Sequence, residues 1–567
     1  MHLPETQPRK SLYYQYQVYP HFHSTTNIVT DPNTVTVVGA GPIGMVSALL
    51  LAKKGNRVVL LSAEQQLSEG SRALVYTRRS MEILHAAGVA EKMKEKLLPW
   101  THGNSIYKGQ VAFRMASPFG EHDQFAPLNN LQQNWLEDYL LKTIAEHDNI
   151  EVRWGNKVVA QQQVGDQVTL TVHTPEGEYK QTSSWVIAAD GGRSILRESM
   201  NLRMEGASYE GKFVIADIRI KLDYPTERLA FFSPDWNPGN TILMHREPDD
   251  IWRFDYQLDP SISPEEALKP ENLYKAVNDQ LKMIGKDHLS WEMDWSTVYS
   301  ARALTLESYV HNRILFVGDA AHLLPIFGVR GANTGFQDAY DMAWKLDAVI
   351  KGWSHEKLLA SYTFDRVGAV REIIAEAGKS TRFMAPPSEG YKLLRNAVLS
   401  LSLEHEFVRP LYHWRTSRPH AYTHSSLNSQ CDDNARMSEH TENGALIPNV
   451  KFSDNTFLYD VLNNNFSVVI FTENGQLPTG LVEEVNQLKA HDVPLQIIAL
   501  DVNTQPVAQA DYSFSATADV LQERFGSSAG SVYLVRPDHH INGRWLNYRN
   551  HAISETFNQF IQVKEGV

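Results

Sequence analysis

Hydrophobic and polar positions change rhythm several times along this chain. From Thr34 an apolar run (Val35, Val37, Val38) breaks at glycines, is followed by a helical stretch from Met45 to Lys54, and resumes at Val58 to Leu61. Such runs, bounded by turn residues, predict strand, turn, helix and strand. Residues 151–190 carry EVRWGNKVVAQQQ, QVTLTVHT and WVIAADGG, which predict strands with a turn. Residues 201–300 alternate in short runs such as KFVIADIRIKL, TILMHRE and IWRFDYQL, the period-two signature of antiparallel strands. Residues 313–350 return to strand and turn. A long amphipathic helix follows, with Phe336, Ala339, Tyr340, Ala343, Leu346 and Ile350 on one face, and helical pattern continues to about 416. The stretch 417–450 is polar and turn-rich, and 451–567 alternates strand with helix again. The pattern is α/β, α+β overall.

A chain of 567 residues exceeds what one hydrophobic core usually supports, so several domains are expected. A net charge of -13 disfavours nucleic acid as a partner. The single cysteine, Cys431, lies in the polar stretch and excludes an intrachain disulfide, a CxxC pair or a Cys-based zinc site. Redox chemistry would therefore need a borrowed cofactor, and no metal is expected. No run approaches the ~18 apolar residues of a membrane span. The first residues lack the apolar core of a secretory signal, so a cytoplasmic location is expected.

Gly39, Gly41 and Gly44 form G-x-G-x-x-G between the first strand and its helix. Gly39 permits the tight turn, Gly41 lets backbone approach a pyrophosphate, and Gly44 lets helix pack on strand. The helix N-terminus would then face the phosphates. The acid expected at the end of the second strand is replaced by Ser62, with Glu64 two residues on; either could meet a ribose. Far downstream, RILFVGDAAHLLPIFGVRGANTGFQDAYDMAWKL ends a strand in Gly318-Asp319. It then opens a helix with Gly331, Ala332 and Asn333, whose amides and dipole suit negative charge.

These blocks, with AADGGRSILR, SRALVYTRRSMEIL and LQQNWLEDYL, resemble the FAD-dependent aromatic hydroxylases typified by p-hydroxybenzoate hydroxylase and phenol hydroxylase. YLVRPDHHINGRW resembles part of the thioredoxin-like unit appended in the phenol hydroxylase branch. The resemblance implies a Rossmann-like FAD-binding domain from 34–200 and 301–416, with a substrate sheet domain inserted at 201–300. An extension at 1–33, a linker at 417–450 and a thioredoxin-like domain at 451–567 complete the layout. The last lacks a CxxC pair and is expected to serve packing or a homodimer.

By the same resemblance, Gly39, Gly41, Gly44, Arg72, Gln133 and Asp319 hold FAD, and Gly331, Ala332 and Asn333 cap its isoalloxazine edge. Asp190, Gly191 and Arg197 belong to a block serving both FAD and NAD(P)H. The implied activity is hydroxylation of a phenolic or related aromatic compound with O2 and NAD(P)H through a flavin C4a-hydroperoxide. A non-oxygenating FAD protein that sequesters an aromatic, an epoxidase and an oxygenative ring-opener are the alternatives. Leu74 stands where the phenol hydroxylase pattern has an acid. For the catalytic residues, Tyr256 is the candidate phenol contact, with a cross-strand core aromatic as its other reading, and Pro325 is expected to lend backbone to the substrate pocket. His322 reads as structural, His539-His540 as the turn of a hairpin, and Arg78-Arg79 as a solvated helix face.

Overall fold

A computed structural model describes residues 2–325, 327–412, 419–430, 432–452, 454–503 and 505–561. Cys431 lies outside the described residues. The glycine-rich blocks meet on a six-stranded sheet. Its order is Val310–His311, Ile314–Phe316, Trp185–Ala188, Thr34–Val38, Arg57–Leu61 and Ile150–Arg153. All neighbours are parallel except the Val310–His311 edge. The Thr34–Val38 strand is buried throughout, as befits a parallel strand covered on both faces. Helix Pro42–Lys53 is buried along Gly44 to Ala52 and packs against helices Gly331–Ile350 and Gln133–Ile144. The parallel arrangement brings the ends of three distant strands together: Val38 before Gly39, Ala188 before Asp190, and Phe316 before Asp319. Ligands of open parallel sheets bind at those carboxyl ends.

An eight-stranded, mostly antiparallel sheet lies over this edge. Its order is His322–Leu323, Glu292–Thr305, Glu205–Arg219, Ile251–Gln257, Thr241–Arg246, Arg228–Phe232, His102–Tyr107 and Gln110–Ala116. The sheet thus draws strands from both sides of 201–300. One of its faces packs Trp252, Phe254 and Tyr256 against Leu273, Val277 and Leu281 of helix Pro270–Met283.

The C-terminal five-stranded sheet runs Tyr512–Ser515, Leu495–Asp501, Phe466–Thr472, Val532–Val535 and Ile541–Trp545. Its first three strands are parallel and the last two antiparallel. Side-chain alternation divides it into two cores. Val468 and Ile470 meet Leu481 and Val485, while Val469 and Phe471 meet Leu521 and Phe525.

Three segments pack more closely than their polar character alone suggests. The N-terminal extension is fastened: Tyr14 and Tyr16 are buried edge-to-face at 4.8 Å, and Tyr19 stacks on Trp154 at 4.6 Å. Within the stretch read as a linker, Tyr422, Leu427, Ile447 and Val450 are buried. Its backbone also pairs with the last hairpin, as Ser429 donates to Asn542 and Ile447 to His539. Arg79 is buried, not solvated. It donates to the Asp538 carbonyl at 2.7 Å, so the Asp538–His540 turn keys into helix Arg78–Ala86.

Candidate active site

A cavity of about 980 Å³ runs from the carboxyl edge of the parallel sheet to the inner face of the eight-stranded sheet. Gly41, Arg72, Gln133 and Asp319 line one half; Ile215, Leu243, Asp255 and Phe383 line the other.

The glycines divide their duties. A Cβ on Gly39 would lie 2.3 Å from the Ala189 carbonyl oxygen, and its φ of +109° is already hostile to side chains. A Cβ on Gly44 would lie 1.9 Å from the Gly39 oxygen. Both are required by the protein's own packing. A Cβ on Gly41 would meet nothing within 4 Å, and the same holds at Gly331, although both line the cavity. Open space over two glycines, each beside the start of a helix, fits the pyrophosphate and ring edge of a dinucleotide.

Gln133 is stapled to the Arg72–Ala73 segment. Its Oε1 accepts from the Ala73 amide at 3.0 Å, and its Nε2 donates to Glu137 at 2.8 Å. Asn333 spends its side chain inside the protein. Its Oδ1 accepts from the Thr77 amide at 2.9 Å and Ser80 Oγ at 2.6 Å, and its Nδ2 donates to the Val75 carbonyl at 2.8 Å. The backbone amides of Gly331, Ala332 and Asn333, in the first helical turn, lack intrahelical partners and remain for a ligand. Asp319 opens on the cavity. Enclosure pushes its carboxyl above the ordinary range, against the pull of His322, Arg197 and Arg72.

Asp190 does not line the cavity, although Ala189, Gly191 and Gly192 do. Its Oδ2 accepts from the Leu196 amide at 3.1 Å. Arg197 bridges two blocks, donating to the Ala320 carbonyl at 3.0 Å and the Gly192 carbonyl at 2.7 Å. Ser62 and Glu64 are absent from the cavity wall. The N-terminal segment overlays that strand end: Tyr19 and Gln65 exchange bonds at 2.7 and 2.8 Å, and Glu64 faces Arg9 at 3.8 Å.

On the sheet side, strand parity decides. Arg253 and Asp255 of Ile251–Gln257 line the cavity, so Tyr256 must point the other way. It packs edge-to-face on Trp236 at 5.8 Å in the core beneath the sheet, which is its other sequence reading. Pro325 is buried and off the wall, whereas Leu323, Leu324 and Phe327 are on it. His322 is buried with Nε2 2.6 Å from Asp338.

Residues that sequence reasoning passed over form a buried polar row. Arg253 Nε donates to Asp217 at 3.0 Å, its Nη1 reaches the Arg72 carbonyl at 3.3 Å, and its Nη2 bonds Ser71. Ser71 Oγ donates to Asp217 at 2.6 Å, with Glu247 at 3.0 Å. Burial and the neighbouring Asp217 push Glu247 well above the ordinary carboxylate range. Arg253 therefore ties the Ser71–Arg72 segment of the cofactor half to the sheet. The alternation of IWRFDYQ was visible, but it reads equally as one buried face and one solvated face. Only the cavity shows that the charged face is enclosed.

A family model described as an FAD binding domain matches residues 33–377. The chain belongs to this FAD-binding-domain family. In the glycine-lined half of the cavity, the open space over Gly41 and Gly331 fits such a cofactor. Among curated relatives, the 3-(3-hydroxy-phenyl)propionate/3-hydroxycinnamic acid hydroxylase of Escherichia coli O139:H28 is 25% identical over 366 residues, 64% of each chain. The Klebsiella pneumoniae protein of that description is 26% identical over the same shares. The chain thus spans about 64% of the length of these relatives. The fold likeness is wider. The flavin-dependent monooxygenase PieE, solved with FAD and substrate, aligns at TM-score 0.78 and 18% identity, covering 94% of this chain and 99% of its own. Aklavinone-11 hydroxylase, solved with FAD and aklavinone, aligns at 0.72 and 22%, with the same coverage. No helix among the described residues is long and apolar enough to cross a membrane.

Proposed function

We propose that this chain is an FAD-dependent monooxygenase that hydroxylates a phenolic or related aromatic compound, with O2 and NAD(P)H as co-substrates. One observation carries the proposal: a single cavity joins the dinucleotide cradle to a wall of Phe232, Leu243, Phe327, Phe383, Met384 and Tyr412. An aromatic ring held there shares an enclosed space with the cofactor's ring edge. The printed activities of the curated relatives support the substrate class.

When bound, FAD supplies transfer of electrons from NAD(P)H to O2 and delivery of one oxygen atom to the ring. The chain's own residues do the rest. Arg72, Gln133 and Asp319 hold the cofactor. The amides opening Gly331–Ile350, with the helix dipole, stabilise negative charge at the ring edge. The aromatic wall orients the substrate and excludes water. Within the same proposal, the C-terminal sheet is a thioredoxin-like unit, supported by its parallel and antiparallel strand order and serving to pack the FAD domain. The test is NAD(P)H consumption by the purified protein under O2 with a panel of phenols. Stimulated oxidation with an oxygenated product supports the proposal. Bound FAD without stimulation favours a protein that sequesters an aromatic.

A further inference from the structure

Asp255 is a carboxylic acid in an unusual place. It is 7% exposed, lines the cavity, and stands opposite Ile215 on one neighbouring strand and Leu243 on the other. Neither cross-strand partner can hydrogen-bond it through a side chain. Its Oδ1 is buried with no hydrogen-bond partner among the described residues. A buried acceptor in that state costs free energy that a ligand's donor would recover. The other polar groups nearby are committed or unsuited. Arg253 is bound to Asp217 and the Ser71–Arg72 backbone. Glu247 is bound to Ser71 and absent from the cavity wall. His245 lines the cavity, but burial and the charges of Arg228 and Arg253 hold it well below its ordinary value, which makes it a weak base.

We propose that Asp255 is the acid–base catalytic residue of this site, accepting the hydroxyl proton of an arene whose ring lies against Leu243 and Phe327. The inference rests on the aromatic monooxygenase reading and names its substrate as a hydroxyarene. In the step, the aryl O–H bond breaks and its electron pair stays on the phenolic oxygen, enriching the ring. The proton forms a new O–H bond on the Asp255 carboxylate. Such a base works best with a pKa near the operating pH. Burial pushes Asp255 up to about 7, Arg253 on its own strand pulls it down, and Asp217 on the Glu205–Arg219 strand pushes it up. His245 and Arg228 face the same cavity from the next two strands, and Ser380, Met384 and Tyr412 close it from the helical side.

The experiment uses FAD-loaded protein and follows the visible flavin spectrum while 3-hydroxyphenylpropionate or its methyl ether is added across pH 5.5–8.5, a range set around Asp255 at about 7. The expected result is a phenol affinity that rises through pH ~7 as Asp255 ionises, a methyl ether affinity without that rise, and loss of the rise in Asp255→Asn. Asp255→Asn should keep FAD and lose ~10²-fold or more in kcat. Asp255→Glu should restore part of the pH response. A wild-type phenol affinity flat across this range, or Asp255→Asn turnover equal to wild type, overturns the role of Asp255 and leaves the monooxygenase reading standing. No spectral response to either compound, or to any of a panel of other phenols, overturns both. The wild-type pH profile decides the matter even where the Asn variant does not fold.

Discussion

Asp338 grips both ends of the loop that presents Asp319. Its Oδ2 lies 2.6 Å from His322 Nε2 and accepts from the Gly318 amide at 3.0 Å, while its Oδ1 takes Arg366 Nε at 2.8 Å. All of these side chains are buried. Burial alone would raise the Asp338 carboxyl, but His322 and Arg366 outweigh it and hold the group below the ordinary range. Asp338→Ala leaves Arg366 buried beside a lost carboxylate, a change costing about 3–5 kcal/mol. The expected outcome is a lowered Tm together with reduced flavin per protein, read by thermal melt and by absorbance. An unchanged flavin ratio would remove Asp338 from the positioning of Asp319.

Asp319→Ala acts on the cofactor directly. Losing one charged hydrogen bond costs roughly 1.5–3 kcal/mol, or about one to two decades in FAD affinity. Equilibrium dialysis of FAD measures it. Full occupancy in this variant would break the assignment.

Gly41→Ala and Gly44→Ala should fail differently. At Gly44 the new methyl collides with the Gly39 carbonyl, so the variant should lose soluble, folded protein. At Gly41 the protein has room, but the methyl enters the space assigned to the pyrophosphate. That variant should fold with a near-normal Tm and bind FAD weakly. Equal FAD binding by Gly41→Ala and wild type would move the phosphates elsewhere.

Tyr256→Phe should leave both FAD and kcat close to wild type, because its ring is in the core beneath the sheet. Steady-state kinetics checks this. A ~10²-fold loss would return an acid–base role to its hydroxyl.

Stability should also report Asp255. Its folded pKa, pushed up to about 7, exceeds the unfolded value of about 3.9, so the native state binds the extra proton between them. Stability from this group is full below the unfolded value and is lost as pH rises towards 7. The loss is roughly 4 kcal/mol at most for a shift of about three pKa units. Denaturant melts at pH 5 and pH 8 should show a smaller pH difference in Asp255→Asn than in wild type. Identical differences would mean that Asp255 ionises normally.

The parallel sheet and its glycine turn were legible because their signals are local. Gly39, Gly41 and Gly44 sit between a strand and a helix that hydrophobic pattern alone predicts. The position of Asp319 on the cavity wall was legible because it follows a strand in a recognisable block. The substrate wall was not, since a one-residue parity choice decides between Asp255 and Tyr256, and both faces of that strand are buried. That Ser62 and Glu64 lie off the cavity wall was not legible, because the N-terminal segment covering them is more than 40 residues away in sequence, as the His2 contact to Ala63 illustrates. The 417–450 stretch looked like a linker because its polar residues bond inside the protein, as Asn428 does to the Tyr422 carbonyl at 2.8 Å.

Isotope-labelled turnover tests the aromatic monooxygenase reading most directly. Purified, FAD-loaded protein is incubated with NAD(P)H, a phenolic substrate and ¹⁸O2, and the product is weighed by mass spectrometry. One labelled oxygen atom in a newly hydroxylated ring, with phenol-stimulated NAD(P)H oxidation, is the predicted result. Phenol binding without any labelled product, over a panel of hydroxyarenes and both nicotinamide cofactors, would contradict it.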